Sequence, residues 1–221
     1  MKSRGVRITD KKKYRLLSPL LPRYAIVPVA LMLVANSVAY FGTRLLDIHA
    51  PLCNVATALD GRIPFVPAMI VVYLLAFGQW AVGYLVLAHE PRESCRYWAC
   101  AMLLAKLIGA VCFLFLPTQI QRPVPAGQDI FSRLVAWIYS VDEPNNLFPS
   151  FHCLESWLFT RLFFASPRVA KPWKIASALF TLAVFASVLL LKQHYLADIP
   201  AGILTAEMGM LWARLFFNRS E

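Results

Sequence analysis

Charged residues are scarce in this sequence. They make up 15% of its 221 residues, whereas hydrophobic residues make up 59%. A soluble domain has about 25% charged residues, so this balance excludes the ordinary soluble class and predicts an integral membrane protein. The chain also has no low-complexity stretch, glycine–serine linker or fixed-period repeat that would divide it. We therefore predict a single domain.

Metal-binding patterns are missing as well. The five cysteines include no CxxC pair and no metal-ligand spacing, and three of them fall inside apolar runs. Small hydrophobic packing is the usual role of such cysteines. The sequence therefore predicts no metal and no cofactor.

Acidic residues are outnumbered by basic ones, 12 to 22, which gives a formal net charge of +10. Eight of the basic residues fall between Lys2 and Arg23, directly before the first apolar run, and the aromatic residues lie inside the apolar runs. Nucleic-acid binding uses basic residues on an exposed face, interleaved with exposed aromatics. The pattern instead predicts a cytoplasmic arm over residues 1–23 that sets membrane orientation, and no nucleic-acid partner.

Long apolar runs are what the chain has in abundance. A helix needs about 20 apolar residues to cross a bilayer, and the sequence predicts six such helices, at about 24–41, 64–88, 97–116, 150–165, 173–191 and 199–217. The fourth is interrupted by His152, Glu155 and Arg161, and its placement between two loops is what supports it. We expect an all-α membrane bundle with one domain over 24–217 and a cytoplasmic tail at 218–221.

The distribution of Lys and Arg predicts the orientation. These residues accumulate in cytoplasmic loops. If the N-terminus is cytoplasmic, few of them fall in the loops on the opposite side of the membrane: Arg44, Arg62, Arg122, Arg133 and Lys192. Both termini are then cytoplasmic, and the loops 117–149 and 192–198 face the exterior, periplasm or lumen. In the longer loop, apolar residues between Ile130 and Ile138 recur near helical spacing, which predicts an interfacial helix.

Two of the four histidines stand in short motifs at this predicted outer face, Pro149-Ser150-Phe151-His152 and His194-Tyr195-Leu196-Ala197-Asp198. Asp198 follows His194 by one helical turn, so its carboxylate is placed to hold one ring nitrogen and leave the other free to attack phosphorus. Ser150 is placed to cap the helix of His152, where free N–H groups favour an anion. Each motif also has a structural interpretation, as a helix cap or an interfacial ion pair. Their joint occurrence favours phosphoester chemistry.

Two cations in the outer loops are candidate phosphate ligands. The guanidinium of Arg122 suits bidentate contact with phosphate, and Lys192 precedes His194 by two residues. Taken alone, Arg122 is more simply explained as an ordinary loop arginine, and Lys192 equally as a snorkelling side chain.

The sequence holds three motifs in order: Arg122-Pro123, the motif ending in His152, and Ser187 followed by His194 and Asp198. Together they resemble the three-motif signature of the type 2 phosphatidic acid phosphatase (PAP2) superfamily. The resemblance implies a six-helix membrane enzyme that acts on a membrane phospholipid or lipid phosphate at the outer face. It implies that His194 forms a phosphohistidine, Asp198 orients it and His152 protonates the leaving alcohol. Arg122 and Ser150 would hold the phosphoryl oxygens.

Three positions depart from that signature. Phe115 and Val188 stand where the family has a Lys and an Arg, and Phe151 replaces a glycine. Fewer cations weaken binding of a dianionic monoester more than that of a monoanionic diester. A head-group transferase of the sphingomyelin or inositol phosphorylceramide synthase type, with a lipid alcohol as acceptor, is therefore nearly as well supported as a phosphatase. Lys192 is placed to replace the missing arginine in part.

The remaining intramembrane charges leave further alternatives. Glu155 lies one turn below His152, either tuning it or joining a polar network between helices, and the network is favoured. Lys106 and Glu207 need partners that the sequence does not identify. A transporter or proton relay would place such groups near the membrane midplane, whereas both histidine motifs map to one rim. A non-catalytic lipid-binding relative is the third possibility.

Overall fold

Seven α-helices make up most of the part of the chain that the structure describes. The computed structural model describes residues 20–46 and 51–217, and in these ranges strand pairing is limited to one isolated bridge between Gln119 and Asn145. The helices are α1 (Arg23–Ser37), α2 (Ile70–His89), α3 (Arg92–Phe115), α4 (Ile130–Val141), α5 (Phe151–Ala165), α6 (Lys171–Leu190) and α7 (Asp198–Phe217). The predicted all-helical class is confirmed for this part of the chain. Most of the predicted basic arm and the predicted tail at 218–221 lie outside the described residues.

Within residues 20–46 and 51–217, four helical segments are long and apolar enough to cross a membrane: Arg23–Leu45, Pro67–His89, Arg92–Phe115 and Lys171–Leu190. The first is α1 continued by a π-helical and a 3-10 turn. Helix α5 has 15 residues, fewer than the about 20 that a bilayer core requires. Helix α7 has 20 residues but carries Asp198, Glu207 and Arg214. The four segments indicate a membrane protein, and the count of six spans stays a prediction.

Helix α5 lies at the centre of the bundle. It packs against α2, α6 and α7, and 10 of its 15 residues are buried. Gly202 lets α7 approach the start of α5 closely, because a Cβ there would lie 2.7 Å from the Ser150 carbonyl oxygen. The Ser150 N–H donates to the Asp198 carbonyl oxygen at 3.3 Å. The start of α5 and the start of α7, where the two histidine motifs end, are thereby joined.

The helix predicted in the long loop is present as α4. Asp129 caps it by accepting hydrogen bonds from the N–H groups of Phe131 and Ser132, the usual role of aspartate at this position. Its buried face, Val135 and Ile138, packs in a cluster with Ile70 and Tyr73 at the start of α2. Helix α4 therefore covers the end of the bundle at which α5 begins.

A second loop, residues 51–66, lies over the same end. The N–H of Cys53 donates to the Pro117 carbonyl oxygen at 2.8 Å, and the N–H of Val66 donates to the Leu190 carbonyl oxygen at 2.9 Å. The loop is thus fixed at one end to the segment after α3 and at the other to the end of α6. It forms one wall of the cavity described next.

Candidate active site

His194 lies in the tight turn between α6 and α7. The N–H groups of Gln193 and His194 both donate to the Val188 carbonyl oxygen, at 2.9 and 3.1 Å, and Lys192 has a φ of 50°, in the left-handed region. A non-glycine residue in this region is uncommon and often marks a functional turn. The turn points the imidazole toward the first residue of α7.

Asp198 holds the imidazole of His194. Its Oδ2 atom lies 3.1 Å from His194 Nδ1 and also accepts the Tyr195 N–H at 2.9 Å. Asp198 is fully buried, so the carboxylate has little freedom to turn away. Among the described residues, Nε2 of His194 has no hydrogen-bond partner. One ring nitrogen is therefore fixed and the other is available.

His152 lies beside this pair, in the first turn of α5. The centres of the His152 and His194 rings are 6.4 Å apart, so one substrate is able to contact both. The His152 ring stacks on Tyr73 of α2 at 4.2 Å and meets Trp80 at 5.0 Å. Its Nε2 atom is buried and has no hydrogen-bond partner in the described part of the chain. Such a group costs about 1–3 kcal/mol when left unpaired.

A cavity of about 560 Å³ lies against His194. Arg122 and Lys192 line it together with His194, and loop 51–66 contributes Thr57 and Asp60. Three of the polar residues predicted from the sequence thus share one cavity. The two basic side chains outnumber the one acidic side chain, Asp60, and together with the imidazole nitrogen they suit an anion such as phosphate.

Arg122 is held rigidly in the wall of this cavity. Its Nη1 donates to the Asp142 carbonyl oxygen and its Nη2 to Gln193 Oε1, while the guanidinium lies over the Tyr139 ring at 4.7 Å. Nη2 is also 3.7 Å from the Asp142 carboxylate, which Arg44 contacts at 3.1 Å. Two arginines share one carboxylate, so a net positive charge remains.

Lys192 is fixed in the same way by neutral groups. Its Nζ donates to the carbonyl oxygens of Asp60 at 2.9 Å and Ile63 at 2.5 Å. Carbonyl oxygens orient an ammonium group without cancelling its charge. Lys192 therefore lines the cavity as a basic side chain held by carbonyl groups, and the Asp60 carboxylate, which lines the same cavity, offsets part of its charge.

Ser150 and Glu155 do not line this cavity. The Ser150 hydroxyl is fully buried and accepts the Cys153 N–H at 3.3 Å, so it caps α5. Glu155 pairs with Lys106 of α3 at 2.5 Å. Glu207 of α7 pairs with Arg161 of α5. Among the described residues, no group of three or more His, Cys, Asp and Glu side chains is arranged to hold a metal ion.

Asp60 is the main residue at the site that the sequence did not indicate. Its Oδ1 accepts the Leu196 N–H at 2.7 Å, and its Oδ2 accepts the N–H and hydroxyl of Thr57, both at 2.7 Å. Burial raises the pKa of this carboxyl, but the hydrogen bonds from Thr57 and Leu196 outweigh it and the pKa lies below its usual value. Asp60 and Leu196 are 136 residues apart, and no motif links them.

Gln193 and Asp142 were also not indicated by the sequence. Gln193 accepts from Arg122, and Asp142 joins Arg122 to Arg44. Amides and carboxylates in loops are common, so neither position carries a signal of its own. Their roles follow from the folded contacts alone.

Comparison with known proteins gives one match. A family model described as "PAP2 superfamily" matches residues 44–212, a range that includes Arg122 and both histidine motifs. No curated protein and no solved structure shows a significant match to the chain.

Proposed function

The chain belongs to the PAP2 superfamily, and from this premise we propose that it is a membrane enzyme that cleaves or transfers a lipid phosphoester through a phosphohistidine on His194. The match confirms the resemblance drawn from the motifs at the level of the superfamily. The single observation that carries the proposal is the geometry of His194, with Nδ1 held by Asp198 at 3.1 Å and Nε2 unpaired among the described residues, beside two cations.

In the first step, His194 Nε2 attacks phosphorus and the bond from phosphorus to the leaving oxygen breaks. Positive charge develops on the imidazole as the new bond forms, and the Asp198 carboxylate at Nδ1 stabilises it. Arg122 and Lys192 stabilise the negative charge on the phosphoryl oxygens, which is the main form of catalysis in phosphoryl transfer.

His152 supplies the proton for the leaving group. In its protonated form it passes a proton to the leaving oxygen, so that a neutral alcohol departs. In the second step, water or an acceptor alcohol attacks phosphorus, the bond to Nε2 breaks, and His152 takes up the proton that the attacking oxygen loses. His152 ends the cycle protonated, and no further reactant is required.

A head-group transferase is the second candidate. The cavity of about 560 Å³ is of the size that commonly holds a whole small ligand, and it has polar walls at Thr57, Asp60 and Gln121. A phosphodiester keeps a polar substituent on phosphorus throughout the reaction, and this space suits such a group. A lipid alcohol would then replace water in the second step.

The proposed setting is a membrane with six spans, both termini in the cytoplasm and the site at the outer face. The four apolar helical segments support the membrane setting. The excess of basic residues before the first span and in the loops on its side supports the orientation.

The nucleophile is tested by trapping the intermediate. Purified protein is incubated with a lipid phosphate labelled on phosphorus, with and without a lipid alcohol. We expect an acid-labile, base-stable label on the wild type, and neither label nor turnover in His194→Ala. His89→Ala is the matched control, since His89 ends α2 and its Nδ1 contacts its own helix at the Leu85 carbonyl oxygen.

Each outcome separates the candidates. Ordinary turnover by His194→Ala would refute the nucleophile. Release of inorganic phosphate without an acceptor would exclude an obligate transferase. A non-catalytic relative would bind the lipid phosphate without becoming labelled.

A further inference from the structure

A second cavity, of about 400 Å³, reaches the histidine pair from the side of His152. It lies between α1, α2, α4 and α5, close to His152 but not to His194. Aromatic side chains dominate its lining, namely Tyr40, Phe41, Tyr73, Phe77, Trp80 and Trp137. The two histidines therefore each open on a different cavity, one that contains Arg122 and Lys192 and one that is mainly aromatic.

The aromatic cavity does not suit a cationic head group. Aromatic faces do bind quaternary ammonium groups, and Asp142 lies in the lining. However, the Asp142 carboxylate already accepts the Tyr40 hydroxyl at 2.6 Å and pairs with Arg44 at 3.1 Å and Arg122 at 3.7 Å. A further cation would find no unpaired negative charge there and would lie near Arg44. A neutral, apolar occupant is favoured.

The mouth of this cavity is apolar. Its rim includes Phe41, Phe77, Trp137 and Val141, which are between 49% and 56% exposed. Exposed apolar patches of this kind mark sites that contact lipid or another apolar partner. In a membrane protein, hydrocarbon is thus able to enter the cavity from the bilayer without crossing water.

We propose that the aromatic cavity binds the hydrocarbon part of the leaving lipid alcohol. The inference rests on the proposed function, in which His152 protonates the leaving oxygen. The carbon bonded to that oxygen must then lie next to His152, on the side where the aromatic cavity opens. The substrate is a phosphoester of an apolar long-chain alcohol, with its phosphoryl end among His194, Arg122 and Lys192.

This assignment predicts a dependence on chain length. For water-soluble esters, each methylene that leaves water for an apolar site is worth about a fourfold gain in binding. Among such esters, those with longer chains should therefore have higher kcat/KM until the cavity is filled, while the phosphoryl group is unchanged.

Val141→Trp tests the assignment by filling the mouth. Val141 is the last residue of α4 and is 56% exposed, so the larger ring does not disturb the core. We expect kcat/KM for a long-chain lipid phosphate to fall at least tenfold and turnover of a water-soluble short-chain ester to stay within twofold. The matched control is Val82→Trp on α2, which is 51% exposed and does not line the cavity. Equal loss with both substrates, or loss with neither, overturns the proposal.

Photocrosslinking with a diazirine-bearing long-chain lipid phosphate gives a readout that does not need turnover. Labelling is expected on the peptides that contain Phe77 and Trp137, in the wild type and in His194→Ala, and should fall in Val141→Trp but not in Val82→Trp. Labelling elsewhere, with turnover intact, overturns the subsite and leaves the proposed function standing. A wild type that labels at these peptides but transfers no phosphoryl group refutes the proposed function and keeps the apolar site.

Discussion

The buried pair of Lys106 and Glu155 gives the sharpest prediction about what holds the active site in place. The two side chains are 1% and 2% exposed, and Lys106 Nζ lies 2.5 Å from Glu155 Oε1. The ammonium group also lies 3.7 Å above the centre of the Phe151 ring, and Phe151 directly precedes His152. The pair therefore links α3 to the first turns of α5, where His152, the proposed proton donor to the leaving group, stands.

Removing one partner of the pair should lower the free energy of unfolding far more than removing both. Lys106→Met leaves Glu155 buried without a counter-charge, and breaking a buried pair in this way costs about 3–5 kcal/mol. For a chain of this size, that loss corresponds to a fall in Tm of about 6–20 °C. The double variant Lys106→Met with Glu155→Leu replaces both charges by apolar groups, and such replacements are close to neutral, within about 1 kcal/mol, or stabilising.

Thermal unfolding in detergent, followed by tryptophan fluorescence, measures these differences. The matched control is Arg96→Met, because Arg96 pairs with Glu93 at 3.1 Å but the two side chains are 51% and 70% exposed. An exposed pair of this kind contributes less than about 1 kcal/mol. The reasoning is refuted if Lys106→Met unfolds at the temperature of Arg96→Met, or if the double variant is as unstable as the sum of the two single ones.

Two further predictions concern the site. His152→Ala should slow cleavage of an alkyl lipid ester by about 10²- to 10⁴-fold but should slow p-nitrophenyl phosphate much less, because that leaving group needs no proton; an equal loss with both substrates would contradict the general-acid role. Asp60→Asn should weaken the contact between loop 51–66 and the turn of His194. Since hydrogen bonding depresses the pKa of Asp60 despite burial, its stabilising effect is present above the ordinary value of about 3.9 and is lost as the pH falls through the lower folded pKa. The difference in Tm between wild type and Asp60→Asn should therefore shrink in acid, and a difference that grows in acid would show that the sign is wrong.

The helices follow from patterns that are local in the sequence. Apolar spacing between Ile130 and Ile138 predicted a helix that the structure has at Ile130–Val141. Boundaries were less predictable, because hydropathy records only the apolar part of a helix. Helix α3 begins at Arg92, before the predicted start at residue 97, since Arg92, Glu93 and Arg96 continue the helix while remaining exposed at its end.

The contacts that complete the site are not local, and sequence reasoning missed them for that reason. Arg122 and Gln193 are 71 residues apart, and Asp60 and Leu196 are 136 residues apart. Each pair joins a loop whose path depends on how the helices pack. A hydrogen bond between residues so far apart in the sequence produces no spacing pattern that can be recognised in a single sequence.

The two basic residues of the family signature that this chain lacks show the same difference between what a motif predicts and which residues the folded site contains. Phe115 and Val188 stand where the family has basic residues, which implied a weak phosphate site. In the fold, Phe115 is 61% exposed at the end of α3, and Val188 is fully buried in the cluster with Tyr73. Neither lines the cavity of His194. Two cations, Arg122 and Lys192, do line it, and both are fixed there mainly by carbonyl and amide oxygens. The charge at the cavity is therefore set by which residues reach it, and these include the Asp60 carboxylate as well as the two cations.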